Sequence, residues 1–109
     1  MDNRKILAVD DDLEILEVLK TVAQIMGFET KTASHGTQAK EIIKQWQPDL
    51  IILDIMLPDI DGITLCRELR QVKTCEKTPI LILTALINGT AYHDALLFGA
   101  TDFMTKPFE

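Results

Sequence analysis

The chain has 109 residues, 47% of them hydrophobic and 26% charged, which is typical of one compact domain with a single core. Its apolar runs are far too short to cross a bilayer, and its first residues lack the apolar core of a signal peptide, so we expect a cytoplasmic protein with no membrane partner. The formal net charge is -6 and the basic residues are scattered, which argues against direct nucleic-acid binding and suits a cation site.

The first part of the chain predicts a buried strand, a helix and an edge strand. Residues 6–9 are all apolar, as in strands buried on both faces of a parallel sheet, and they end at three aspartates, residues 10–12. A helix is predicted from Leu13 to Met26, with Gly27 at its expected end. Its apolar residues recur at helical spacing: Ile15, Val18, Leu19, Val22 and Met26. Phe28 to Ala33 alternates, which indicates an edge strand with one partly wet face.

The middle of the chain repeats this order. A second helix is predicted from an apolar stripe that ends before Pro48 and consists of Ala39, Ile42, Ile43 and Trp46. Residues 50–53 form a second apolar run, which ends at Asp54, and Asp61 is expected to cap a third helix. The third stripe consists of Leu65, Cys66, Leu69 and Val72. Cys75 falls in a predicted polar loop, and the two cysteines form no zinc or disulfide pattern, so both are expected to be reduced.

The last part of the chain completes an α/β pattern. A third apolar run, residues 80–83, ends at Thr84, and a fourth helix is predicted from Thr90 to Phe98. A short strand from Asp102 to Thr105 is followed at once by Lys106. We therefore predict one domain over residues 1–109, built on a doubly wound, five-stranded parallel sheet of flavodoxin-like order 2-1-3-4-5. In that order the carboxyl ends of the first and third strands meet at the switch point.

Asp10, Asp11 and Asp54 are expected to meet there. Carboxylates placed close together repel one another unless a cation or shared protons offset their charge. Mg²⁺ is the simplest explanation because it takes hard oxygen ligands and needs only one or two carboxylates besides a carbonyl or phosphoryl oxygen. The alternative for the acids at 10–12 is helix capping, and we expect Asp12 to serve in that way.

Asp54 also has the position of a nucleophile. A carboxylate at the end of a central strand suits aspartyl-phosphate chemistry. Thr84 can donate its hydroxyl to a phosphoryl oxygen, and Lys106 can pair with that oxygen as a point charge. Taken singly, a threonine at a strand end is usually a turn former and a lone lysine a surface group, so the joint placement of these residues at strand ends is what favours the functional interpretation.

Four segments together resemble the receiver domain of two-component response regulators, such as the chemotaxis response regulator. They are the acidic segment at residues 9–12, a D-x-M-L-P-x-x-x-G segment at 54–62, the Thr-Ala pair at 84–85 and the segment 99–108, which ends in Lys-Pro-Phe. The match spans the whole chain. It implies a signalling domain rather than an enzyme, one that accepts a phosphoryl group from a histidine kinase or histidine phosphotransfer protein and switches conformation to control an output partner or domain.

The resemblance implies the metal ligands and the phosphoacceptor. Asp54 would accept the phosphoryl group in a Mg²⁺-dependent reaction. Asp11 and Asp54 would bind Mg²⁺ through their side chains, Met56 through its backbone carbonyl and Asp10 through water. The domain would thereby promote its own phosphorylation and dephosphorylation.

The resemblance also implies the switch. Thr84 would move toward the phosphoryl group, Phe103 would be the coupled aromatic residue, and Lys106 would bridge to a phosphoryl oxygen. The bond between Lys106 and Pro107 would be cis. His35 and His93 have no partner pattern, and neither is expected to be a ligand or a phosphoacceptor.

Two departures from the family pattern carry expectations of their own. Receiver domains close with a fifth helix after Lys-Pro-Phe, whereas this sequence stops at Glu109, so we expect a domain that lacks its last helix and exposes apolar surface on the face shared with its first helix. Such a domain is expected to be destabilised or to self-associate through that face, with a homodimer as one outcome. Met56 and Leu86, which influence how water reaches the phosphoaspartate in this family, are both apolar here, and this predicts a long-lived phosphoryl group.

Three other functions were compared with this interpretation. A phosphohydrolase of the haloacid dehalogenase type needs a second aspartate two residues after the nucleophile, where this chain has Met56. A nucleotide-binding switch protein is excluded because the sequence has no G-x-x-x-x-G-K-[ST] segment. A pseudo-receiver, which would act as a phosphorylation-independent interaction module, stays as the alternative, although the retention of the expected site residues speaks against it: Asp10, Asp11, Asp54, Thr84 and Lys106.

Overall fold

The computed structural model describes residues 4–84 and 102–105, in which strands and helices alternate as predicted. The elements are β1 (Lys5–Val9), α1 (Leu13–Ile25), β2 (Glu29–Ala33), α2 (Gly36–Gln45), β3 (Leu50–Asp54), α3 (Gly62–Arg70), a 3-10 helix (Lys73–Cys75), β4 (Ile80–Thr84) and β5 (Asp102–Thr105). The predicted fourth helix, from Thr90 to Phe98, lies outside the described residues. No described helix combines the length and the apolar character needed to span a membrane.

The five strands form one parallel sheet in the order β2-β1-β3-β4-β5, which confirms the predicted flavodoxin-like order. β2 lies at an edge, as its alternating sequence predicts, and its Glu29 and Lys31 are exposed. In the centre of the sheet β1 pairs with β3 so that Val9 lies opposite Leu53. Because all strands are parallel, their carboxyl ends lie along the same boundary of the sheet, here called the carboxyl edge.

Helices cover the centre of the sheet on both faces, which explains why β1, β3 and β4 are apolar without alternation. On one face, side chains of the sheet form a single core cluster with those of α2 and α3. Its buried members in these elements include Leu7, Val9, Ile51, Leu53, Ile80 and Ile82 from the strands and Ala39, Ile43, Leu65, Cys66 and Leu69 from the helices. Ile6 and Ala8 alternate with these residues along β1 and are also buried, on the face that α1 covers with Leu16 and Ala23.

Helix α1 begins and ends as predicted. The Asp12 carboxylate caps it by accepting hydrogen bonds from the N–H groups of Glu14 (3.0 Å) and Ile15 (3.4 Å). At the other end Gly27 has φ 89°. The predicted apolar stripe is only partly buried, since Val18 and Val22 are 54% and 50% exposed. The sheet contacts one side of α1, so a second apolar side is left facing solvent.

The polar loop predicted around Cys75 contains one short helical turn, and the burial of Cys75 itself was not predicted. Residues Lys73–Cys75 form a 3-10 helix, and Cys75 is fully buried. Arg70 stabilises this turn because its Nη1 donates hydrogen bonds to the carbonyl oxygens of Cys75 (3.0 Å) and Thr78. Cys66 is buried as well, and burial raises the pKa of its thiol, which keeps it protonated and poorly reactive.

Trp46, the last residue of the predicted stripe, is the C-cap of α2 and packs, partly buried, against the core cluster. The ammonium groups of Lys5 and Lys31 lie 5.8 Å and 5.3 Å from the centroid of its ring, within cation–π range. Trp46 therefore contacts both the core cluster and the two lysine ammonium groups.

Replacing Gly27 with Ala tests how much the positive φ at the end of α1 costs a residue that has a side chain. No atom lies within 4 Å of the position that a Cβ would take, so the substitution adds no steric clash with other residues. A left-handed conformation costs an L-residue about 1 kcal/mol or more, and we expect Gly27→Ala to lower the free energy of unfolding by that amount. Urea denaturation measures the change. Gly27→Asn should lose less, because Asn tolerates this conformation, and an alanine variant as stable as the wild type would contradict the assignment.

Candidate functional site

Three carboxylates converge at the carboxyl edge of the sheet. Each of Asp10, Asp11 and Asp54 offers one oxygen, and these oxygens all lie within 4.8 Å of one another. The pairing of β1 with β3 brings them together, because Asp10 directly follows Val9 and Asp54 directly follows Leu53. Asp10 and Asp54 are 0% and 3% exposed, whereas Asp11 is exposed. The predicted meeting of these three acids at the switch point is therefore confirmed.

The backbone around β1 orients the first two acids. The N–H of Asp10 donates to the carbonyl oxygen of Ala33 at the end of β2 (3.0 Å), and Asp10 Oδ1 accepts from the N–H of Asp12 (2.9 Å). These bonds form a turn that leaves Asp11 at the surface. Asp12 lies beyond the turn and caps α1, so it serves as a cap, as expected.

The acidic cluster fits a hard divalent cation. Three carboxylates within a few ångströms repel one another strongly where two of them are shielded from water, and a cation offsets that repulsion. All three offer oxygen ligands, which Mg²⁺ and Ca²⁺ prefer. Asp11 is the exposed member, so an ion can reach the cluster from the solvent side.

The loop after Asp54 is closed tightly at its base. The N–H of Ile55 donates to the carbonyl oxygen of Leu83 in β4 (3.0 Å), and the N–H of Gly62 donates to the carbonyl oxygen of Ile55 (2.8 Å). Met56 and Asp61 form an isolated antiparallel bridge. A Cβ on Gly62 would overlap the carbonyl oxygen of Asp54, so the start of α3 packs directly against the backbone of the central acid.

Helix α3 begins where the sequence predicts. Asp61 caps it by accepting a hydrogen bond from the N–H of Ile63 (2.7 Å). Met56 lies at the start of the loop, with its side chain 59% exposed. The role of its carbonyl as a metal ligand stays a prediction.

One carboxylate of this loop, Asp59, has a role that the sequence analysis missed. It accepts hydrogen bonds from the N–H groups of Gly36 (2.8 Å) and Thr37 (2.9 Å) and from the Thr37 hydroxyl (2.8 Å), at the first turn of α2. The bond from Gly36 is the largest cause that holds the pKa of the Asp59 carboxyl well below its usual range, with those from Thr37 next. Aspartate is a preferred capping residue, which is the one signal in the sequence. Asp59 lies more than twenty residues from the helix it caps, so the sequence near α2 does not indicate this role.

His35 is the second residue at this helix end. Its Nδ1 accepts a hydrogen bond from the N–H of Gln38 (3.2 Å), so it is the N-cap of α2. Nδ1 also lies 3.8 Å from Asp59 Oδ2. His35 is thus a capping residue rather than part of the acidic cluster.

Of the remaining predicted site residues, Thr84 lies at the same edge of the sheet, Phe103 lies within β5, and the others fall beyond the described part. Thr84 ends β4, one residue after Leu83, which pairs with Asp54, and Thr84 itself pairs with Thr105 of β5. The backbone of Phe103 lies in β5 opposite Ile82. Lys106, Pro107, Leu86 and His93 lie outside the described residues, so their predicted roles are not tested by the structure.

The sequence matches a family model described as the response regulator receiver domain over residues 6–109. A similar curated protein is the alkaline phosphatase synthesis transcriptional regulatory protein PhoP of Bacillus subtilis, 44% identical over 97% of this chain and 43% of the relative. Response regulator MprA of Mycobacterium leprae is 38% identical over 95% of this chain and 45% of the relative. The chain thus spans less than half the length of these relatives.

Solved structures with the same fold support the match. A putative response regulator from Chloroflexus aurantiacus is 39% identical with a TM-score of 0.92, and the alignment covers 99% of this chain and 88% of that one. The chemotaxis protein CheY4 of Vibrio cholerae is 30% identical with a TM-score of 0.95 over 99% of this chain and 90% of that one. With the family model matched over nearly the whole sequence, the chain belongs to the response regulator receiver domain family.

Proposed function

We propose that this receiver domain accepts a phosphoryl group on Asp54 in a Mg²⁺-dependent reaction. The observation that carries the proposal is the position of Asp54, which is buried at the end of the central strand β3, with one oxygen within 4.8 Å of oxygens of the two carboxylates that follow β1. Burying a carboxylate costs free energy unless its charge is compensated. A shared cation would compensate the charge and so favour the carboxylate form that acts as a nucleophile.

Each acid has a separate task in this reaction. A carboxylate oxygen of Asp54 forms a bond to phosphorus while the bond from phosphorus to the donor breaks, and the donor leaves with the electron pair of that bond. Asp11 and Asp54 would hold Mg²⁺ through their side chains, with Asp10 acting through water and Met56 through its carbonyl. Mg²⁺ supplies charge neutralisation between the anionic phosphoryl group and the acids.

The backbone limits how Asp54 can move during transfer. Ile55 is tied to β4 through Leu83, and Gly62 packs on the Asp54 carbonyl, so the nucleophile is held from both sides of the strand end. Such fixed orientation contributes to rate because less freedom is lost in reaching the reactive geometry.

The response to phosphorylation would run through β4 and β5. We assign Thr84 the hydroxyl that donates to a phosphoryl oxygen, Lys106 the ammonium that pairs with it and Phe103 the coupled aromatic position. The strand pairing supports a shared location, since Thr84 pairs with Thr105, the residue before Lys106. A new phosphoryl group beside such donors creates charge-assisted hydrogen bonds that bias the conformation of the surrounding loops.

The donor would be a histidine kinase or a histidine phosphotransfer protein. Curated relatives such as PhoP of Bacillus subtilis and GltR of Pseudomonas aeruginosa are named as transcriptional regulatory proteins, and this chain spans less than half of their length, which supports an output in transcription through a segment outside the receiver domain. A homodimer of the domain is a further proposal. The alternative function is a pseudo-receiver that binds partners without phosphorylation.

The first test is phosphorylation by a small acyl phosphate with Mg²⁺, followed by intact-mass measurement. We expect the wild type to gain the mass of one phosphoryl group and Asp54→Asn to gain none, because the amide cannot act as the nucleophile. Asp49→Asn is the matched control, since Asp49 lies at the opposite edge of the sheet and accepts a backbone N–H from Lys5 (2.7 Å). No adduct on the wild type would favour the pseudo-receiver, and equal adducts on wild type and Asp54→Asn would remove Asp54 from its role.

The second test concerns the lifetime of the phosphoryl group. Apolar side chains at Met56 and Leu86 cannot orient an attacking water, so the double variant Met56→Asn, Leu86→Glu should lose phosphate about tenfold faster than the wild type once free acyl phosphate is removed. Met26→Asn is the control, because Met26 is similarly exposed (68%) but lies at the end of α1. Rapid loss from the wild type that slows in the double variant would contradict the prediction.

A further inference from the structure

The loop that follows Asp54 is held at two separate points. Its base is closed by the bond from Gly62 to Ile55 and by the bridge between Met56 and Asp61. Its outer part is held by the three hydrogen bonds that Asp59 accepts from the first turn of α2, here called the Asp59–α2 contact. The base therefore belongs to the sheet edge, while the outer part is fixed by a different element of the fold.

Packing accompanies the hydrogen bonds at the outer point. The side chain of Ile60 lies so close to Gly36 that a Cβ on Gly36 would overlap Ile60 Cγ2. Ile60 and Leu57 are also partly buried against the core cluster. The outer part of the loop is thus placed by both polar and apolar contacts, and Gly36 permits the close approach.

The electrostatics of α2 explain why a carboxylate from another segment binds there. The first turn of α2 contains no acidic residue, and its N-cap is the imidazole of His35. The N–H groups of Gly36 and Thr37 therefore donate to Asp59, whose negative charge also lies at the positive end of the helix dipole. Because the same hydrogen bonds keep the pKa of this carboxyl low, the contact persists throughout the neutral pH range.

We propose that Asp59 is a positioning residue for the metal site: by fixing the outer part of the loop on α2, it holds the backbone of Met56 in place beside the acidic cluster. The inference rests on the proposed function, in which the Met56 carbonyl is a metal ligand. The side chain of Met56 adds little to its placement, since it is 59% exposed, so the backbone of Met56 depends on the bridge to Asp61 and on the segment that joins these two residues. Loss of the Asp59–α2 contact would leave residues 57–60 with only their apolar packing, and the backbone of Met56 would gain freedom that metal binding must then remove.

The test is the Mg²⁺ affinity of the unphosphorylated domain, obtained from the rise in melting temperature with Mg²⁺ concentration, since a ligand that binds the folded state stabilises it by mass action. Asp59→Ala should weaken Mg²⁺ binding about tenfold, as is typical when a residue that orients a ligand is removed. Asp59→Asn keeps one acceptor oxygen and should show a smaller loss. At saturating Mg²⁺ the extent of phosphorylation should match the wild type.

Asp49→Ala is the matched control, because it also removes a carboxylate that accepts a backbone N–H, but at the amino edge of the sheet. It should change the melting temperature without changing the Mg²⁺ dissociation constant. An Asp59→Ala or Asp59→Asn protein with a lower melting temperature and a wild-type dissociation constant would overturn the proposal, because the contact would then be structural only. If Asp59→Ala does not fold, the Asp59→Asn comparison decides in the same way.

The two proposals fail in different ways. A wild-type protein that binds Mg²⁺ but gains no phosphoryl mass contradicts the proposed function, and the Asp59 variants still decide the positioning role through their Mg²⁺ affinities. A wild type that gains phosphoryl mass while Asp59→Ala and Asp59→Asn bind Mg²⁺ as the wild type does leaves the proposed function standing and overturns the positioning role.

Discussion

The pairing of β1 with β3 is the constraint on which the site depends. Val9 lies opposite Leu53, so the next residues, Asp10 and Asp54, are neighbours at the edge of the sheet. A slip of one residue would turn each buried side chain to the opposite face, and the apolar residues on both faces of β1 and β3 resist such a slip. The hydrophobic core thereby sets the separation of the carboxylates, whose mutual repulsion would otherwise drive them apart.

The second constraint is the close approach of α3 to the end of β3. Gly62 packs against the carbonyl of Asp54, and its N–H donates to the carbonyl oxygen of Ile55. A larger residue at position 62 would displace either the helix or the strand end. The backbone of Asp54 therefore lies between β1 and β4 and against the start of α3. These contacts fix the position from which its side chain extends.

Local patterns in the sequence predicted most of this fold, and long-range contacts account for what they missed. The apolar runs and helical stripes gave strand and helix positions to within a few residues, because periodicity and capping are encoded locally. The burial of α1 was less predictable, since several apolar stripes fit a helix and the sheet covers only the one that contains Leu16 and Ala23. Cys75 and Asp59 depend on partners elsewhere in the fold: Arg70 for the buried turn, and the first turn of α2 for the carboxylate. No local pattern identifies such partners.

The same fold explains why so many acids can share one edge of the sheet. In a parallel sheet with crossover helices, each helix begins near the carboxyl end of the preceding strand, so the N-terminal donors of the described helices face the edge where the acids lie. Three of the acids are held by those donors: Asp12 on α1, Asp59 on α2 and Asp61 on α3. Their negative charge is offset by backbone N–H groups and helix dipoles. Asp10, Asp11 and Asp54 instead lie beside one another, an arrangement of carboxylates that fits a cation. The acids at this edge thus fall into two groups: Asp12, Asp59 and Asp61 accept hydrogen bonds from the start of a helix, and Asp10, Asp11 and Asp54 lie together at the ends of β1 and β3.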